Sequence, residues 1–395
     1  MSGRLEKYIF ILLLLTLPSQ LGLHFWPSFS FVSGLPLDYL SPTLYFTDLL
    51  ILSLFLISGF RTHIQLPILI FITLNTFFSF SPMVTIIRWI RILEYFWLFG
   101  YLTIKFDLKL PKILNWSLEL SLIWVSFLTW IQFLKQSSVG GLWYWLGERT
   151  FNLSTPGISK IDLEFETWNL GLTLRPYATF PHPNALAGFL LVAGLLIYYL
   201  YPKSLISKIA ILASIITIPV TFSRTAIIIE AIFLVFLVLL KVKNLKLKIS
   251  LLLFSSLLLF YSPALMPGNP SSIPERLSQY GVSLSVIKDH LLLGVGLGAY
   301  VPSAQPYYNL TTVPYNLTLQ PVHNVFLLLI SELGIPAFLI MCYFMTRLKG
   351  RSLLLPVAVV LISGMSDHYW LTAHQNSLLL VILFSLLILN MGTEH

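Results

Sequence analysis

Apolar runs of roughly helical length, separated by short polar or basic connections, recur along almost the whole chain. A bilayer core takes about 20 apolar residues per helix. On that ruler the pattern predicts twelve spans: 8–24, 44–60, 66–82, 84–103, 113–134, 184–201, 207–222, 225–240, 249–262, 324–345, 353–366 and 376–391. The expected fold class is all-α: one polytopic membrane bundle over 1–395, with about twelve transmembrane helices. Arg4 and Lys7 before the first run look like a signal peptide, but no small-x-small cleavage site follows, so it reads as a helix. No internal repeat or low-complexity tract is visible, which argues against the inverted repeats of many transporters.

Composition agrees with the pattern. Of 395 residues 56% are hydrophobic and 10% charged, where a soluble domain carries about 25% charged. The single cysteine, Cys342, excludes an intramolecular disulfide and a cysteine metal cluster. A net charge of +8 would suit nucleic acid, but the positions of the basic residues give it another meaning. With the N-terminus in the cytoplasm, fifteen of the 24 Lys and Arg residues fall in inside loops, as the positive-inside rule requires. The expectation is an inner or plasma membrane protein with both termini cytoplasmic, surrounded by lipid, with no nucleic-acid partner.

Two outer segments are long enough to carry function. Residues 135–183 hold Trp143, Trp145, Trp168 and the alternating stretch Asp162–Glu166; residues 263–323, between spans nine and ten, form the larger loop. Tryptophan and tyrosine there fit interfacial anchors, and their interleaving with polar groups also suits sugar stacking. In the larger loop Leu277, Tyr280, Leu284 and Ile287 recur at helical spacing, with Arg276, Gln279 and Ser283 on the opposite side. That predicts an amphipathic helix on the membrane surface, with Arg276 turned to a substrate at headgroup level.

Candidate chemistry gathers at the outer helix ends. Arg175 precedes Asn184, which is a plausible N-cap for span six, and Ala185, Ala187 and Gly188 would let a neighbouring helix approach. Arg224 sits in a turn too short to hydrate it freely, so it either pairs or faces a polar cavity. Arg88 and Arg91 share a face with Glu94; Arg91 pairs with Glu94, leaving Arg88 as a possible phosphate contact. His323 and Asn324 open span ten: the imidazole is a candidate general base, and Asn324 could orient it or bond substrate. Glu332, nine residues on, lies about 13 Å down the helix and reads as structural, with Gly334 and Pro336 kinking the span there. Gly294, Gly296 and Gly298 mimic part of a dinucleotide fingerprint, but no strand precedes them and a flexible turn is the expectation. Asp367, His368 and His374, with His182 and His323, match no standard zinc spacing, so neither a metal site nor a cofactor is expected.

Three arginines and a histidine on one face suit an anionic, lipid-anchored substrate, because arginine matches phosphate oxygens. Here the chain resembles the O-antigen ligase family, which shares a domain with O-antigen and capsule polymerases. The likeness rests on Arg175 with Pro183-Asn184-Ala-Leu-Ala, Ser223-Arg224-Thr-Ala, Arg276 with Gly294-Val-Gly296-Leu-Gly298, and His323-Asn324 with Glu332-Leu-Gly334-Ile-Pro, in order over about 170–390. It implies a C-type glycosyltransferase fold with a large periplasmic or extracellular loop. It also implies metal-independent, inverting transfer of a glycan from undecaprenyl pyrophosphate to an outer-leaflet lipid or glycan acceptor, of lipid A–core type. Carried over, His323 is the base, Arg224 and Arg276 contact the donor pyrophosphate, and Arg175 less firmly so. His182 departs from the usual non-basic residue before Pro-Asn. A polymerase using a second lipid-linked repeat is the alternative in the same class, and a flippase of lipid-linked sugars the alternative outside it.

Overall fold

A computed structural model describes residues 2–105, 110–165, 168–200, 204–241, 272–309, 315–346 and 353–391. It is mostly helical, 69% helix. The helices are α1 (Ser2–Leu15), α2 (Phe46–Ser58), α3 (Leu66–Phe77), α4 (Pro82–Lys105), α5 (Leu110–Lys135), α6 (Pro183–Leu200), α7 (Leu205–Thr217), α8 (Arg224–Lys241), α9 (Ser272–Asp289), α10 (Tyr300–Ala304), α11 (Tyr315–Thr318), α12 (Val325–Thr346), α13 (Leu354–Gly364), α14 (Tyr369–Thr372) and α15 (His374–Met391). Each predicted span overlaps one of them, in whole or in part, except 249–262, which lies outside the described residues. By length and composition three described helices could cross a membrane: Trp116–Lys135, Pro183–Leu200 and Val325–Tyr343. Others are shorter than the apolar runs suggested. The helix expected over 8–24 ends at Leu15, because Pro18 disfavours helical geometry before it and the chain runs on as strand β1 (Gly22–His24).

The chain divides into two compact units, Met1–Ser117 with Ser271–His395, and Leu118–Pro270. In the first, α1 packs on α2, α4 on α15 and α9 on α12. Between α1 and α2 the chain is extended. β1 pairs antiparallel with β4 (Thr43–Tyr45), and the turn Ser33–Gly34 joins β2 (Phe31–Val32) to β3 (Leu35–Pro36).

Helix α12 is broken at Gly334 (φ 80°, ψ 168°) and carries Pro336 two residues later. Proline has no N–H to offer the carbonyl four residues back, so the carbonyl of Glu332 needs another donor. The glycine turn supplies it: the N–H of Gly296 bonds the Glu332 carbonyl at 3.1 Å, and the N–H of Val295 bonds that of Ser331 at 2.8 Å. The Asn75 amide donates to the carbonyls of Glu332 (3.0 Å) and Leu293 (2.8 Å). Gly294 (φ +65°) is required here, since a Cβ would lie 2.3 Å from the Glu332 backbone carbon. The triplet expected to be a flexible turn is thus a packed one that completes a broken helix.

In the second unit α6 is buried along most of its length and packs on α7, where Gly194 lies against Ser214. Glu119 of α5 accepts a hydrogen bond from Ser207 of α7, so this deep acid is tied to a neighbouring helix. The alternating stretch in the first outer segment forms β5 (Lys160–Phe165), antiparallel to β6 (Trp168–Leu174).

Candidate functional site

The first unit brings His323, Asn324, Arg276 and the turn before α14 together. His323 Nδ1 lies 2.7 Å from Gln279 Oε1, while the Gln279 Nε2 donates to the Leu317 carbonyl at 3.3 Å. That second bond orients the amide, so its oxygen faces the ring and His323 Nδ1 carries the proton. Nε2 is then the nitrogen with a lone pair, and it has no hydrogen-bond partner among the described residues. Burial pushes the imidazole below its ordinary value of 6.5, Asp367 pulls it back up, and Arg276 pushes it further down. The ring is therefore neutral at neutral pH and able to accept a proton.

Around it, the His368 ring lies 5.0 Å from that of His323, centroid to centroid. Asp367 accepts the His368 backbone N–H at 2.8 Å, and His368 Nδ1 lies 2.8 Å from the Thr372 hydroxyl. Burial pushes His368 down to about 3, so it too is neutral. His323, Asp367 and His368 each offer a ligand atom within 4.8 Å of the other two. Among the described residues these three could hold a divalent cation. Sequence spacing missed this grouping because a fold, not a motif, makes it. His374, counted with them in sequence, belongs elsewhere: its ring stacks on Tyr45 at 4.2 Å and bonds Thr47 and Tyr95.

Helix α9 buries residues from both of its predicted sides, Ile287 at 8% exposure among them. Gln279 and Ser283 are fully buried, whereas Leu277 is 62% and Leu284 57% exposed. Gln279 and Ser283 pack inward because their partners are internal: Gln279 on His323 and Leu317, and Ser283 on the Ser331 hydroxyl at 2.9 Å. Hydrogen-bonded polar groups lose little on burial. Arg276 sits on the first turns of this helix, half-buried, close enough to act on both imidazoles. It has no hydrogen-bond partner among the described residues. Asn324 is committed differently. Its Oδ1 caps α12 by accepting the N–H groups of Phe326 (2.9 Å) and Leu327 (3.1 Å), and its amide donates to the Met365 carbonyl.

Beside this cluster a cavity of about 810 Å³ opens in the same unit. Its polar lining includes Tyr39, Arg88, Arg91 and Glu332; its apolar lining includes Phe96, Phe99, Val381 and Phe384. Arg88 donates to the Tyr39 carbonyl at 2.6 Å, and the Tyr39 ring meets the His368 ring edge-on at 5.6 Å. Arg91 is consumed by Asp48 and Glu94, the latter pairing as expected from its i, i+3 spacing. Glu332 accepts backbone N–H bonds from Gly298 and Tyr300, in keeping with a structural role.

The second unit gathers Arg175, Asn184 and the turn before Arg224. The Arg175 guanidinium donates to the Thr221 carbonyl (2.9 Å), the Ser159 hydroxyl (3.1 Å) and the Asn184 Oδ1 (2.7 Å). Asn184 is not the N-cap of α6. His182 is, since its Nδ1 accepts the Asn184 N–H at 3.1 Å and its carbonyl accepts those of Ala185 and Leu186. The helix starts two residues earlier than an Asn184 cap would place it because Pro183 is favoured at a first helical position, which frees the Asn184 side chain for Arg175. Arg224 opens α8 two positions after Phe222, which is held left-handed at φ 53°.

Residues 209–342 match the family model for O-antigen ligase. The match supports an O-antigen ligase-like family, and with it a membrane protein with a glycosyl-transfer role acting on lipid-linked glycan and acceptor substrates. No curated protein matches the chain. Arg224, Arg276, Gln279, His323 and Asn324 fall inside the matched stretch; Arg88, Arg175, Asn184, Asp367 and His368 fall outside it. Of the residues now seen around His323, Gln279 carried one sequence signal, its place on the Arg276 face of the helix. Asp367 and His368 carried none beyond their residue types.

Proposed function

We propose that this protein is an O-antigen ligase-type glycosyltransferase, moving a glycan from undecaprenyl pyrophosphate to an outer-leaflet lipid or glycan acceptor by metal-independent, inverting displacement. The observation that carries the reading is a neutral His323 whose Nδ1 is fixed by Gln279, whose Nε2 is open, and beside which Arg276 has no partner among the described residues. In this reading an acceptor hydroxyl gives its proton to Nε2 as its oxygen forms a bond to the anomeric carbon. The carbon–oxygen bond to pyrophosphate breaks, and the lipid pyrophosphate leaves with the electron pair. Arg276 neutralises the charge that develops on it, with Arg88 holding the donor at the cavity; a pyrophosphate contact for Arg224 rests on its sequence motif. A cavity lined by two arginines and many apolar side chains suits an anion on a long hydrocarbon chain. Asn324 serves the site by position, and Arg175 and Asn184 brace the second unit, because the hydrogen bonds given above engage their side chains with the protein.

The reading retains twelve crossings, both termini in the cytoplasm of an inner membrane, a ligase-like region over 170–390 and an outer loop over 263–323. The test is purified protein in nanodiscs given polyprenyl-pyrophosphate-linked oligosaccharide, with and without lipid A–core. Glycan should appear on the acceptor with release of polyprenyl pyrophosphate, and the rate should survive EDTA. Lengthening of the donor alone would make a second lipid-linked repeat the acceptor. Loss of transfer in EDTA, restored by zinc, would overturn the metal-independent step and turn His323, Asp367 and His368 into ligands. Passage of intact donor across the bilayer, with no glycosidic bond exchanged, would replace transfer with transport.

A further inference from the structure

The first outer segment contains a closed turn whose surface nothing in the transfer reading uses. From Val139 to Gly147 the sequence is Val-Gly-Gly-Leu-Trp-Tyr-Trp-Leu-Gly, nine residues without a charge. Its base is pinned by the buried Glu148 carboxylate, which accepts the N–H groups of Val139 and Gly140 at 2.7 Å each. The tip is left outside: Leu142 is 73%, Trp145 68% and Tyr144 55% exposed.

The turn does not stand away from the helix it follows. The Trp143 ring lies 6.2 Å from those of Trp124 and Phe127 on α5. Those positions precede the helix end at Lys135 by eleven and eight residues, which is about 16 and 12 Å along the axis. The chain therefore leaves α5, turns, and comes back down beside a helix long and apolar enough to cross a membrane. Phe127 and Leu134 of that helix are themselves exposed, so the tip extends an apolar face already turned outward. An uncharged tip of leucine, tryptophan and tyrosine at the rim of a span has the composition that lipid interfaces favour.

We infer that Leu142, Tyr144 and Trp145 form a lipid-contacting wedge, inserted in the leaflet beside α5. The wedge has a structural reach. The Gln132 amide donates to Glu148 at the base of the wedge (2.7 Å), and its oxygen accepts the N–H groups of Tyr177 and Ala178 (3.0 and 2.7 Å). One side chain thus clamps the wedge to the segment that follows Arg175, and seating the tip in lipid fixes that segment relative to the leaflet. This inference rests on the membrane reading and not on glycosyl transfer, so either can fail without the other.

The test uses full-length protein with Cys342→Ser, carrying a bimane label on Trp145→Cys, or on Ser154→Cys as a water-facing reference, in phosphatidylethanolamine/phosphatidylglycerol vesicles. The label at 145 should emit further to the blue than at 154, be quenched by lipids brominated in their acyl chains, and resist aqueous iodide. Emission at 145 that iodide quenches as strongly as at 154, and that bromolipid leaves untouched, would overturn the wedge. Protection from iodide by soluble oligosaccharide would overturn it in favour of a sugar-stacking surface. Leu142→Cys, labelled in the same way, guards against a local loss of structure caused by removing the indole.

Discussion

Arg175 and Arg276 carry the same group and are held in opposite ways. The guanidinium of Arg175 has three protein acceptors within 3.1 Å, one of them the asparagine nine residues on. That of Arg276 meets no acceptor among the described residues, and its charge pushes both His323 and His368 down. In a partly buried site an arginine whose donors are already matched cements backbone segments; one left with open donors is poised for an incoming anion. The sequence motifs present both as phosphate contacts, and only the count of internal acceptors separates them.

The comparison can be broken by substitution. His323→Ala should have the largest effect, a loss of glycan transfer of about 10²- to 10⁴-fold, with normal membrane insertion shown by detergent extraction and size-exclusion profile. Arg276→Lys keeps the charge but loses the fork. If one charge-assisted hydrogen bond to phosphate goes, about 1.5–3 kcal/mol, transfer should fall about 10- to 100-fold, read as initial rate at saturating acceptor. Arg175→Lys should act on the framework instead. Leaving Thr221, Ser159 or Asn184 acceptors unmet costs about 1–3 kcal/mol, visible as a lower Tm in detergent, while turnover per folded molecule changes less than for Arg276→Lys. A reversed order, with Arg175→Lys the more damaging to turnover, would mean that its bonds open to admit substrate.

Much of this was legible in the chain because it follows from hydropathy and backbone chemistry. The apolar runs locate the helices, Gly334 and Pro336 announce the break in α12, and the alternating stretch that begins at Asp162 lies in a strand as far as Phe165. What stayed hidden depended on contacts between distant positions. Periodicity gave a two-sided α9 but not the internal partners, His323 and Ser331, that let Gln279 and Ser283 be buried. Asn75 bridges residues more than two hundred positions away, and no local pattern marks it. His323, Asp367 and His368 come together although no zinc-like spacing joins them. Span lengths were overread because apolar runs continue past helix ends, as the extended chain after α1 shows.

The central claim is that a neutral His323 takes the proton, and the pH dependence of transfer tests it most directly. A base works deprotonated, and burial lowers His323 from 6.5, so the acid limb of the rate profile should lie below that value. Asp367 raises His323, so Asp367→Asn should move the limb further toward acid while its amide oxygen still accepts the His368 N–H. A limb above 6.5, or one that Asp367→Asn leaves in place, would contradict the account.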